Sequence, residues 1–167
     1  MRSTSRDPFR VGTSRQRRDV KFFLDENMPV VAVPPLRALF EGRHEFETAH
    51  SLDVTGVDDV DLYPRVRQAG VLAIISKDDR QLKVEVERRG LFENHLSFVH
   101  LRTTAIAGRK GLALTVASLT AGIPYIEERW MPEPYVFRLK GLQSAFTERV
   151  ATHQPIWRDH WGDKPNA

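Results

Sequence analysis

Three short acidic stretches of the chain have the residue types and spacing to do chemistry together. Asp25 and Glu26 follow the apolar run Phe22-Phe23-Leu24. Asp78 and Asp79 follow the run Val71 to Ile75 through Ser76 and Lys77, and Asp58, Asp59 and Asp61 open the stretch up to Gly70, DDVDLYPRVRQAG. Like charges a few ångströms apart raise one another's pKa, so carboxylates that converge in a fold need a cation or hydrogen-bond donors between them. Oxygen donors alone, with no cysteine in the chain and no histidine in any of the three stretches, suit Mg²⁺ or Mn²⁺. Such an ion orients a phosphodiester, lowers the pKa of an attacking water and stabilises the leaving oxygen.

Each acid also has an ordinary structural role open to it. Asp58 stands where a helix N-cap belongs, and Asp59 and Asp61 fall in a first helical turn, where the helix dipole favours negative charge. Asp78-Asp79 suits a turn, and Asn27 suits either a turn or the orientation of Asp25. Lys77 either neutralises the site and contacts phosphate or is a solvated lysine. What sets Asp25 and Asp78 apart is that two apolar strands both close on acids.

Those strands must come from an alternating pattern. Val20 to Leu24 is rich in β-formers, Pro29 to Phe40 carries Leu36, Leu39 and Phe40 on one helix face, and His44 to Ala49 reads as a second strand after Gly42. The helix beginning near Asp59 puts Val60, Tyr63, Val66 and Ala69 on one stripe and stops at Gly70. Val71 to Ile75 is apolar throughout, as in a parallel strand covered on both faces. A helix over about 80–89 stopping at Gly90, a strand over 96–101, a helix over 110–121, a shorter helix over 124–130 and a last strand over 135–139 complete the series. Strands alternating with helices predict an α/β domain with a mainly parallel central sheet flanked by helices, and there is no internal repeat. In such a sheet the carboxyl ends of the strands share one edge, where ligands bind.

The chain has 167 residues, 41% of them hydrophobic, enough for one core. Residues 1–19 hold six arginines and two aspartates, a net +4 against +3 for the whole chain, with little apolar periodicity. They read as a disordered basic arm, the domain as 20–150, and the stretch 151–167 as a C-terminal tail. No apolar stretch of the roughly 7 to 15 residues of a secretory signal follows the arginines. The longest aliphatic run is far short of the roughly 18 residues of a membrane span, and zero cysteines agree with a cytoplasmic home. Arg88, Arg89, Arg102, Arg109 and Lys110 are candidates for a basic rim. In the tail, His153, Asp159 and His160 are metal-capable, while Arg158 with Trp157 and Trp161 has the means to stack on bases. Phosphate-loop, dinucleotide and serine-hydrolase motifs are absent from the sequence.

The ordered set FFLDEN, then DDVDLYPRVRQAG, then VLAIISKDD resembles the PIN-like nuclease domain, and is especially similar to the VapC-type toxins of toxin-antitoxin modules. The resemblance runs over about Val20 to Gly90 by motif and beyond that by element order. It implies a Mg²⁺- or Mn²⁺-dependent endoribonuclease in which Asp25, Asp59 and Asp78 are catalytic and, with Asp79, hold the metal. Glu26, Asp61 and Lys77 are further candidates for the site. The implied partners are an RNA substrate and a cognate antitoxin protein, with a homodimer also allowed and no membrane. Glu26 stands where the common pattern has a small hydroxyl residue, so that contact is not implied here. Two other readings compete. One is a non-catalytic PIN-like RNA-binding or interaction module. The other is an aspartate-based phosphoryl-transfer domain, which Asn27 in place of a second aspartate disfavours.

Overall fold

A computed structural model of the chain describes residues 19–103 and 106–142. The basic arm apart from Asp19, and the tail with its histidines and tryptophans, lie outside the described residues. Five strands form one parallel sheet: β1 (Val20–Leu24), β2 (His44–Thr48), β3 (Ala73–Ser76), β4 (Ser97–Arg102) and β5 (Val136–Lys140), in the order β2-β1-β3-β4-β5. The expected α/β class holds, and every strand pair is parallel.

Helices α1 (Val33–Leu39) and α5 (Gly108–Glu128) cover one face, and α2 (Asp59–Gln68) and α4 (Glu85–Glu93) cover the other, with the short α3 (Arg80–Lys83) leading into α4. Alternation along the strands sorts the core. Phe22, Leu24, Ile75, Val99 and Leu101 pack with Leu36, Leu119 and Ile123 on the first face. Phe23, Ile74 and Phe98 pack with Tyr63, Val66 and Leu91 on the second. Val20 to Leu24 is nearly continuous in burial because β1 is central and helices cover both faces.

Three helix expectations differ from the structure. The segment over 80–89 is two helices, parted by Val84 in extended conformation, and it does not stop at Gly90: α4 runs on to Glu93, and residue 90 is glycine because an added Cβ would come 2.8 Å from Tyr63 Cδ2. The separate helices over 110–121 and 124–130 are one helix, α5, continuing through Pro124; Leu119, Ile123 and Ile126 anchor both sides of the proline to the sheet. In α2 the buried stripe includes Leu62, while Val60 is 46% exposed, and in α1 Leu39 is 59% exposed.

The strand order puts a topological switch between β1 and β3: the chain leaves β1 for β2 on one side and returns to β3 on the other. Connections therefore diverge at the carboxyl end of this pair, which opens a crevice. Among the described residues no helix is long and apolar enough to cross a membrane.

Candidate active site

Asp25 sits at the mouth of that crevice because it continues the β1 ladder, donating its backbone N–H to Ile75 O at 3.0 Å. Its side chain is fixed by neighbours. Oδ1 accepts the Glu26 N–H, and Oδ2 accepts from Asn27 Nδ2 and from Ser76 Oγ, each at 2.8 Å. Asn27 ties the two strand exits together, donating also to Ser76 Oγ and accepting the Lys77 N–H at 3.0 Å. Both readings of Asn27 hold: it lies in the turn that the Met28 N–H closes on Asp25 O at 2.8 Å, and its side chain orients Asp25.

Asp59 is the first residue of α2, placed by the turn at Asp58, whose own side chain makes no capping bond. Gln81 of α3, 7% exposed, lies between Asp59 and Asp25: its amide nitrogen is 3.2 Å from Asp59 Oδ1 and 3.5 Å from Asp25 Oδ2. Gln81 Oε1 in turn faces the Tyr63 hydroxyl at 3.5 Å. Glu87 reaches Asp59 from α4. Burial, then Glu87, then Asp25 push the Asp59 carboxyl up to about 6. Burial and the same carboxylates also push the Tyr63 phenol up.

Asp78 follows β3 and is clamped by Arg80. Its Oδ1 accepts the Arg80 backbone N–H at 2.9 Å and its Oδ2 the guanidinium, which holds its carboxyl below the usual range. Together these groups line one open pocket of about 430 Å³: Asp25, Glu26 and Asn27 from the β1 exit, Asp59 from α2, and Asp78, Arg80, Gln81, Val84 and Glu87 from the chain through α3 and α4. Five carboxylates thus face one guanidinium.

The remaining sequence candidates lie off this pocket wall. Asp79 pairs with Lys83 at 2.7 Å, which lowers its pKa, Asp61 is exposed on α2, and Lys77 is half-buried, its ammonium pKa lowered by that burial. Glu26 accepts the Gly56 N–H at 3.0 Å and so pins the loop before α2 to the site. Glu87, Gln81 and Arg80 escape sequence reasoning. Glu87 lies in an acid-base mixed helix with no local mark to separate it from Glu85, and only the packing of α4 beside α2 brings it to Asp59.

Among the described residues, no three acidic or imidazole groups stand close enough to cage an ion by themselves. Their kind nevertheless fits a hard divalent ion: oxygen donors only, in excess over cations, with one carboxyl that resists ionising where it stands. Gln81 and Arg80 now engage oxygens that such an ion would share.

A family model described as a PIN like domain matches residues 20–103, half of the chain, a span that includes every residue of this pocket. Comparison with curated proteins and with solved structures gave no match.

Proposed function

We propose that the chain, which belongs to the PIN-like domain family, is a metal-dependent endoribonuclease acting on RNA phosphodiesters, and that it is the toxin of a VapC-type toxin-antitoxin pair. Members of this family often carry nuclease activity. The observation that carries the nuclease reading is the gathering of Asp25, Asp59, Asp78 and Glu87 around one pocket at the switch point of the sheet, with Asp59 pushed up to about 6. The toxin role and its antitoxin partner rest on the order of the three motifs.

Asp25, Asp59 and Asp78 would hold Mg²⁺ or Mn²⁺, with Glu87 as a further oxygen donor. Such an ion supplies Lewis-acid polarisation of a phosphate and an activated water. Asn27 and Ser76 hold Asp25 in a single orientation, so that its carboxylate presents the same face whenever substrate arrives. The raised pKa of Asp59 marks a crowding of carboxylates that a bound cation would relieve. Arg80, exposed at the pocket rim, offers a positive charge to an entering phosphate.

One observation favours the non-catalytic module instead: the acids already have donors, and no three of them cage an ion. Incubation of total cellular RNA with native protein and Asp25→Asn, each with Mg²⁺ or Mn²⁺, decides between them. The native protein is expected to cleave, and Asp25→Asn to lose cleavage while keeping its circular dichroism spectrum. No cleavage by the native protein with either ion overturns the nuclease in favour of the binding module.

A further inference from the structure

The acidic pocket takes up only half of the sheet's carboxyl edge. On the face covered by α2 and α4, strand register places one residue from each of four neighbouring strands side by side: Asp25 after β1, Ser76 in β3, His100 in β4 and Arg138 in β5. Phe23, Ile74 and Phe98, two residues earlier in their strands, belong to the core of that face, which fixes the side on which the row lies. Two residues beyond His100, Arg102 pairs with Lys140 in the same register and on the same side. The row therefore passes from carboxylate through hydroxyl and imidazole to guanidinium, with a second basic pair behind it.

Arg102, Arg138 and Lys140 are exposed, and none of the three side chains is hydrogen-bonded or ion-paired among the described residues. Asp79 feels the charge of His100 and Arg138 but bonds to Lys83. His100, 9% exposed, stands between Ser76 and Arg138 in this row and sets the boundary between the acidic and the basic half of the edge.

We propose that the ends of β4 and β5 form a track for single-stranded RNA leading into the acidic pocket, with Arg102, Arg138 and Lys140 on successive phosphates. The strip fits one strand. It is two β-strands wide, about 5 Å between them, and two rows deep, about 7 Å, which matches a single backbone and is too narrow for both backbones of a duplex. An acidic protein laid on it would face the adjoining carboxylates like on like, whereas an RNA strand arriving with a divalent ion brings the compensating charge. The track rests on the nuclease reading for the identity of the strand, while its test reads binding alone.

The test is fluorescence anisotropy of a short labelled oligouridylate with the full chain at a fixed millimolar Ca²⁺ concentration, over a range of NaCl concentrations. It compares native protein, the Arg138→Ala/Lys140→Ala double variant and, as control, Arg65→Ala on the exposed side of α2. Each phosphate contact contributes about 0.7 to the log-log salt slope for single strands, so the double variant is expected to lose about 1.4 and the control to keep the native slope. A native slope in the double variant overturns the track, as does an equal loss in the control or absence of binding by the native protein. Binding of polyglutamate that the double variant loses while its RNA slope stays native overturns it in favour of a protein-facing surface. The two proposals fail separately: native cleavage with an unchanged slope sinks the track alone, and a reduced slope without native cleavage sinks the nuclease alone.

Discussion

Under α1 and α5 the sheet stays apolar to its carboxyl edge, with Leu24, Ile75 and Leu101 each at most 2% exposed. Under α2 and α4 the apolar rows end at Phe23, Ile74 and Phe98, and Asp25, Ser76 and His100 take the next positions. The strands are the same on both faces; only the last alternate residue changes. Ending the apolar row early on one face leaves a recess whose walls are polar and whose floor is held by strand pairing. The opposite face meanwhile keeps its full burial under α5. One side of the sheet is closed by apolar packing and the other opens into the polar recess, and the recess needs no insertion into the fold.

The largest effect expected from this division is on the apolar face. Phe22 is 1% exposed and stacks on Phe46 with centroids 5.5 Å apart. Phe22→Ala should cost about 3–5 kcal/mol in urea denaturation, from lost transfer energy and the cavity left behind. RNA binding by the fraction that remains folded should be native. A loss of binding at a temperature where circular dichroism reports full folding would break the division, since it would tie this face to the site.

On the polar face the sign reverses. The Asp59 pKa is raised from 3.8 to about 6, so the folded protein holds this proton more tightly than the unfolded chain does. Below pH about 3.8 both states are protonated and Asp59 has no effect. As pH rises from there to about 6 the folded state loses stability, and above that the penalty is complete. The full shift corresponds to about 3 kcal/mol, and for a half-exposed group about 1–2 kcal/mol is the expected size. Asp59→Asn should therefore stabilise the metal-free protein at pH 7 by about 1–2 kcal/mol and change nothing at pH 3.5. Millimolar Mn²⁺ should stabilise the native protein more than the variant. Equal denaturation curves for the two proteins at pH 7 without metal would remove the electrostatic strain assigned to this face.

The sequence carried the first face more fully than the second. Val20 to Leu24 and His44 to Thr48 were legible because burial on both sides demands unbroken or alternating apolar residues, and Gly42 ends the helix before β2 with φ of 72°. The acids that terminate β1 and β3 were legible for the same reason, as abrupt stops in apolar runs. Glu87, Gln81 and Arg80 were not, because helices α3 and α4 are short and polar, and what aims them at Asp59 and Asp25 is long-range packing. Gly90 misled for a related reason: its need for space against Tyr63 is tertiary, and locally it looks like a stop signal. The basic strip was hidden by register, since nothing in the chain shows that Arg102 will face Lys140.

The smallest expected effect concerns the clamp on Asp78. The Arg80 side chain is 83% exposed, so its ion pair with Asp78 resembles a surface pair, and Arg80→Ala should leave the urea denaturation midpoint close to native. Its effect on ion binding should be visible all the same. The guanidinium engages Asp78 Oδ2, while the Arg80 backbone N–H keeps Oδ1, so the substitution frees one oxygen without releasing the carboxylate from its turn. If Asp78 helps to hold the ion, removing this competitor should tighten Mn²⁺ binding about two- to fivefold by isothermal titration calorimetry, under 1 kcal/mol. The same substitution made in Asp78→Asn should give no such gain, because the amide presents no charge for the arginine to mask. A gain of equal size in both backgrounds would mean that Arg80 acts on the pocket through its field alone. Asp78 would then be left as the acid that shapes the turn into α3, and the ion would belong to Asp25, Asp59 and Glu87.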